Sequence, residues 1–367
     1  MQKERVYFDY NATAHMLPEV MDVVVEAMKK VGNSSSVHTS GRLMRASVEC
    51  ARKQLAASID ADSKNIVFTS GGTESNHIAL IGNDFFKDKI FVSEIEHASI
   101  YKNFSNSQYI PVTSDGIVDL NVLDTILHIC RPNLVSVGLA NSETGIVQPI
   151  KEIVGICHSY GCLVHTDAVQ AFGKIDVSFE NLGVDMMSLS SHKIGGPMGV
   201  GALVYKESVP LKSITLGGGQ EKGIRPGTIN IPGIAGFGKA SELTKFVDWS
   251  KTMRQIEKIV NALGSRSTVI GRGAKLPNTL AVSTIGCHKD SQVIHFDLEG
   301  VDLSAGSACS SGKVEHSHVL KAMGLEDAIC SSTIRLSLGP NHLDADVERF
   351  ICAWNKLVAP KISVRSN

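Results

Sequence analysis

As far as Val204 the chain alternates short apolar runs with amphipathic stretches, which predicts a βα rhythm. Val6 to Thr13 opens as a short strand running into a polar turn. Pro18 to Val31 follows as a helix with proline at its start and Gly32 just past its end. A loop of small polar residues (Gly32 to His38) leads to a second helix, Gly41 to Ile59, apolar at Leu43, Ala46, Val48 and Ala51. Strands are predicted at Ile66 to Thr69, Lys89 to Ser93, Leu134 to Leu139, Leu163 to His165 and Leu182 to Ser190. Helices are predicted from the turn Ser70 to Asn76 through Gly82, and over Ile150 to Tyr160. Polar residues gather where strands end: Glu96-His97, Asn141-Ser142-Glu143, Asp167 to Gln170, and Ser190 to Lys193. The expected architecture is α/β with a mostly parallel sheet and a ligand crevice along the carboxyl ends of its strands.

After Val204 the pattern changes. A glycine-rich loop, Leu216 to Asn230, precedes one long helix expected from about Pro232 to Leu263. Beyond it, Leu280 to Ser283, Gln292 to Leu298 and Ser332 to Leu338 can supply the strands and helices of a smaller α+β domain. The boundary is expected inside the long helix near Asp248. This gives a large domain over 16–248 and a small one built from 1–15 and 249–367.

The balance of 36 basic and 37 acidic side chains in 367 residues speaks against a nucleic-acid or polybasic membrane binder. No apolar stretch is long enough to span a bilayer and no signal or transit peptide is evident, so a cytoplasmic location is expected. The eight cysteines include no C-x-x-C pair and read as mostly small buried residues in a reducing compartment. No metal site is expected.

The candidate chemistry lies at the strand ends, and each part has an ordinary reading when taken alone. Lys193, between Ser190-Ser191-His192 and Ile194-Gly195-Gly196-Pro197, is either a strand-end lysine reaching water or a desolvated amine able to attack a carbonyl. Ser70-Gly71-Gly72-Thr73-Glu74 is either a plain helix start or an anion cup. His97 is either structural or a ring-stacking proton shuttle. Asp167 is either a helix cap or a carboxylate awaiting a cationic partner. Taken together they meet the needs of pyridoxal 5′-phosphate (PLP): a lysine for the aldehyde, a carboxylate for the ring nitrogen, a stacking partner and a phosphate cup.

The chain resembles the cysteine desulfurases of the NifS/IscS type, within class V of the fold-type I PLP enzymes. The matching segments are Phe8-Asp-Tyr-Asn-Ala-Thr13, Phe68-Thr-Ser-Gly-Gly-Thr-Glu-Ser75, Glu96-His97, Asp167-Ala-Val-Gln170 and Ser190-Ser-His-Lys193. They continue with Gly217-Gly-Gly-Gln-Glu221, Arg225-Pro-Gly-Thr228, Ser307-Ala-Cys309 and Arg335-Leu-Ser-Leu-Gly339. The resemblance implies a large domain with a mostly parallel sheet of the seven-stranded type, and a smaller α+β domain carrying the cysteine loop. It makes Lys193 the covalent anchor of PLP and a proton shuttle, and His97 the stacking residue. Asp167 becomes the partner of the pyridine nitrogen and Gln170 that of the ring hydroxyl. Gly72, Thr73, Ser190 and His192 become phosphate holders, and Thr228 reaches the phosphate of the neighbouring subunit in a homodimer. Asn33 and Arg335 would grip the substrate carboxylate.

Cys309, on the small-residue loop Leu303 to Gly312, would be the nucleophile. It would take sulfur from L-cysteine as a persulfide, release L-alanine and pass the sulfur to an acceptor protein. The relatives usually carry Asn-Asn-Glu where this chain has Asn141-Ser142-Glu143, so the contact made there with ring and substrate falls to Ser142 or Asn141. Met198 and Ser34 also replace a common lysine and proline. Housekeeping members dock an iron–sulfur cluster assembly scaffold through a longer C terminus than follows Arg335 here, so docking of that kind is not expected. A selenocysteine lyase or small amino acid aminotransferase would not need Cys309. A catalytically idle sulfur carrier would not need Lys193, Asp167 and His97.

Overall fold

The computed structural model describes residues 5–82, 89–105, 108–306 and 317–359. Cys309 therefore lies outside the described residues. Twelve strands are present among those described: β1 (Val6–Tyr7), β2 (Ile66–Thr69), β3 (Ile90–Ser93), β4 (Tyr109–Ile110), β5 (Leu134–Ser136), β6 (Leu163–Asp167), β7 (Met186–Ser190), β8 (Gly201–Tyr205), β9 (Thr268–Val269), β10 (Thr279–Ser283), β11 (Val301–Asp302) and β12 (Thr333–Ser337). Seven form one sheet in the order β2-β8-β7-β6-β5-β3-β4. Both β2 and β7 pair antiparallel with β8, and every other pairing is parallel. Six strands thus point one way, and their carboxyl ends share one edge of the sheet.

Burial on both faces explains why these strands read as continuous apolar runs rather than alternating ones. Successive side chains go to opposite cores. Ile66, Phe68, Met187, Leu189 and Val204 join Val48, Leu55, Ile153 and Phe237 on one face. Val67, Met186, Leu203 and Val92 join Ile78, Leu80 and Ile100 on the other. The helices Thr39–Ser58 and Ile231–Leu243 pack closely, because a Cβ at Gly238 would sit 2.5 Å from Ala51 Cα.

A second core collects Phe8, Phe296, Phe350, Trp354, Leu280 and Leu336 under the antiparallel β12-β10-β9 sheet, with Phe296 and Phe350 stacked at 4.9 Å. The N-terminal segment threads between this sheet and β11: β1 pairs with β11, and Asp9 bridges to Ser337. It then turns at Asp9–Ala12 and enters the carboxyl edge of the large sheet.

The single helix expected over 232–263 is two helices, Ile231–Leu243 and Ser250–Leu263, with a short 3₁₀ turn at Thr244–Phe246. Local chemistry breaks it. Thr244 Oγ1 bonds back to Ser241 O (2.7 Å), and the Asp248 carboxylate accepts from the Ser250 amide (2.9 Å) and hydroxyl (2.8 Å). The Trp249 indole meanwhile donates to Gly173 O (2.9 Å). The first helix ends at Met28 rather than Val31, and beyond it Gly32 passes so close to the second helix that a Cβ there would lie 2.7 Å from Ser40 O.

Candidate active site

A cavity of about 310 Å³ opens at the carboxyl edge of the large sheet. Each strand delivers its residues through the turn that follows it. The β2 turn brings Gly72 and Thr73, β3 brings Glu96 and His97, and the segment after β5 brings Asn141 and Ser142. The end of β6 brings Asp167 and Gln170, and β7 brings Ser190, His192 and Lys193. Ten of the residues singled out from sequence therefore line one space. Arg335, Asn33 and Thr228 do not line it. Arg335 is buried on β12, paired with Asp9 and donating to Ser142 O at 3.1 Å. Asn33 is exposed on its loop and accepts from Ser35 N (2.9 Å), and Thr228 is exposed on the glycine-rich loop.

Lys193 Nζ donates to the carbonyls of Asn11 and Ala12, the latter at 2.8 Å. Asp167 accepts from Asn76 Nδ2 at 2.7 Å and from Val169 N at 2.9 Å. The same Asn76 amide donates to Ser99 Oγ (3.0 Å), which bonds His97 Nδ1 (2.8 Å), so a hydrogen-bonded chain joins Asp167 to His97. Burial, reinforced by Lys193 and His318 and opposed by Asp167 and Glu143, holds the His97 pKa below its ordinary value. Burial and Lys193 push His192 down to about 4, so it is a neutral ring near pH 7, set against Thr13 Oγ1 at 3.2 Å. Glu96 is raised well above the carboxylate range by burial and by Asp167, against the Gly138 amide at 2.6 Å.

The cavity has the donor set for a flat ring ending in a phosphate. Gly72 opens the 10-residue helix Gly72–Ile81, whose first amides and dipole suit an anion. A Cβ at Gly72 would stand 2.8 Å from a Val169 methyl, so only glycine lets this turn lie against Val169. The Asp167 carboxylate is held on both oxygens, and Asn76 Oδ1 is buried without a partner among the described residues.

Asn141 is spent on its own turn. Its Oδ1 accepts from the amides of Glu143 and Thr144 (2.9 Å each), and its Nδ2 donates to Ile95 O (2.9 Å). Three further residues escaped the sequence reading. Asn76 carried a usable signal, lying one helical turn beyond Gly72. Asn11 stands in the matching segment Phe8 to Thr13, but nothing in the sequence joins it to Lys174, 163 positions away yet hydrogen-bonded to it at 2.6 Å.

A profile of the family described as Aminotransferase class-V matches residues 6–350, and the chain is an enzyme of that family with the α/β fold of the fold-type I PLP proteins. Class-V aminotransferases and NifS-like proteins depend on PLP. Cysteine desulfurase IscS 1 of Archaeoglobus fulgidus is 40% identical, covering 94% of each chain. Cysteine desulfurase IscS of Dictyoglomus turgidum is 39% identical, covering 92% of this chain and 90% of that one. The X-ray structure of a NifS-like protein from Rickettsia africae superposes with a TM-score of 0.89 at 34% identity, covering 96% of this chain and 99% of that one. No helix among the described residues is long and apolar enough to cross a membrane.

Proposed function

We propose that the protein is a PLP-dependent cysteine desulfurase that converts L-cysteine to L-alanine and leaves the sulfur on Cys309 for an acceptor protein. The observation that carries this reading is the convergence of Lys193, Asp167, His97 and the Gly72 helix start on one cavity. PLP, when bound, supplies an electron sink for the α-carbon of the amino acid. Lys193 anchors it and moves the α-proton. Asp167, held by Asn76 and Val169, offers an acceptor for a ring N–H. His97 covers a ring face, Gln170 meets the ring hydroxyl, and Gly72, Thr73, Ser190 and His192 hold the phosphate. The resemblance assigns the substrate carboxylate to Asn33 and to Arg335, which holds the Ser142 carbonyl and would have to exchange Asp9 for that carboxylate, and Ser142 stands in for the usual asparagine.

The thiolate of Cys309 attacks the substrate sulfur. The substrate C–S bond breaks, an S–S bond forms on Cys309, and the carbon product takes up protons as L-alanine. The described ends of the Cys309 segment support its approach to the cavity. Ser317 Oγ donates to Glu143 Oε2 at 2.6 Å, and a Cβ at Gly306 would lie 3.8 Å from that same oxygen. Glu143 directly follows the cavity-lining Ser142. The exposed Thr228 fits a homodimer in which this loop serves the neighbouring subunit's phosphate site. Residues 16–248 would form the cofactor domain, 1–15 with 249–367 the domain bearing Cys309, and the enzyme would act in the cytoplasm.

The test is alanine and sulfide formation from L-cysteine with reductant. Cys309→Ala should lose nearly all sulfide while keeping the yellow colour of bound PLP, and undiminished turnover would overturn the persulfide step. Lys193→Ala should lack a borohydride-reducible link between cofactor and protein.

A further inference from the structure

We propose that Lys174 is a positioning residue that fixes the Gln170 amide and the Asn11 turn on whose carbonyl the amine of Lys193 rests; the inference rests on the PLP reading above. Lys174 is 4% exposed, and among the described residues its hydrogen-bond partners are two amide oxygens and no carboxylate. Its Nζ donates to Asn11 Oδ1 at 2.6 Å and to Gln170 Oε1 at 2.8 Å. A buried ammonium without a counter-ion is costly, and an apolar side chain of the same length would fill the space without that cost. Its pKa is accordingly held well below the ordinary lysine value, by burial first and then by the positive charges of Lys193 and Arg335.

The geometry shows what such a lysine accomplishes. An ammonium only donates, so both amides must turn their oxygens toward it. The Gln170 nitrogen is thereby turned to the Asn11 carbonyl (2.9 Å), the same carbonyl that receives Lys193 Nζ. The Asn11 nitrogen is turned to Thr279 Oγ1 (2.9 Å). Lys174 thus holds both amide oxygens while backbone carbonyls take the nitrogens, Asn11 O for Gln170 and Ser142 O (3.3 Å) for Asn11, and Gln170, which lines the cavity, keeps a second N–H to donate. A donor at that place favours an ionised ring oxygen on the cofactor. When Lys174 carries its proton, its charge, coupled to that of Lys193, also disfavours a positive charge at the Lys193 nitrogen. Arg335 is matched by Asp9, and Asp167 sits at the opposite, ring-nitrogen end.

The measurement is the pH midpoint of the visible absorbance change of the holoenzyme. In Lys174→Met both effects are lost, and the midpoint should rise by about one pH unit, a tenfold change in the protonation equilibrium. Lys174→Gln keeps an N–H donor and should move the midpoint in the same direction but by less than half as far; it also carries the test if the methionine variant does not fold. In a Gln170→Ala background, Lys174→Met should add little, because the two act through one contact. An unchanged midpoint in both Lys174 variants, even with a lowered Tm, would reduce the residue to a structural role and overturn the proposal. Full additivity with Gln170→Ala would overturn it too. A wild type with no Lys193-dependent absorbance would instead refute the PLP reading itself.

Discussion

The glycine-rich loop is tied to the helix Thr39–Ser58 and to β2, the strand that leads into the anion cup, by one buried ion pair, and breaking that pair should be costly. Glu221 Oε1 accepts from Arg52 Nη2 at 2.7 Å, and its Oε2 accepts from Arg52 Nη1 at 2.8 Å and from the Phe68 amide at 2.7 Å. The two side chains are only 7% and 4% exposed, and the guanidinium also lies 4.8 Å above the Phe68 ring. In Glu221→Met, Arg52 keeps the half-exposed Glu49 and the Ile66 carbonyl, while the Phe68 amide loses its acceptor. Removing one partner of a buried pair costs about 3–5 kcal/mol. At about 2.1 cal/mol/K per residue, 367 residues give an unfolding entropy of ~0.8 kcal/mol/K, so the expected fall in Tm is about 5 °C. Scanning calorimetry at fixed protein concentration measures it. The double variant Arg52→Met, Glu221→Met removes both charges and should recover part of the loss. Phe68 leads through Thr69 into the Gly72 turn, so Glu221→Met should also weaken PLP binding. A Tm within about 1 °C of wild type would refute the reasoning, as would a double variant no better than the sum of the singles.

Gly72→Ala should weaken PLP binding more than folding, because the new methyl drives Val169 into the cavity; equilibrium dialysis should show the loss, and Val169→Ala in the same chain should restore much of it. Asp167→Asn keeps the shape but loses the charge, so alanine formation should fall about 10²–10³-fold, the range for removing one preorganised electrostatic partner, while PLP stays linked to Lys193. His165, buried between Ser136 Oγ and Ser188 Oγ at 2.9 Å each, is pushed down to about 3. The unfolded chain therefore binds a proton that the folded chain refuses. Its contribution is intact above pH ~6.5 and is lost as pH falls toward about 3, at about 1.4 kcal/mol per pH unit. Urea unfolding from pH 7 to pH 5 should show this slope shallower by one proton in His165→Gln.

Much of the site was legible in the chain itself, because local rules govern it. A strand that ends in a polar turn puts its next side chains at a sheet edge, so Gly72, His97, Asp167 and Lys193 could be assigned to one crevice from their positions after apolar runs. The parallel sheet followed from the βα rhythm, and the family resemblance added the likeness between those residues and a PLP pocket. Other features waited on tertiary contacts. The break near Asp248 depends on Trp249 reaching Gly173, which helical periodicity does not register. The link from Asp167 through Asn76 and Ser99 to His97 joins three segments by side chains that are individually unremarkable polar residues. Lys174 and Asn11 meet only because the N-terminal segment, held between β11 and β12, turns back into the large sheet. Local sequence chooses which residues stand at the strand ends. Which buried polar groups satisfy one another there is decided by chain crossings, since a buried donor takes whatever acceptor the packed fold brings within reach.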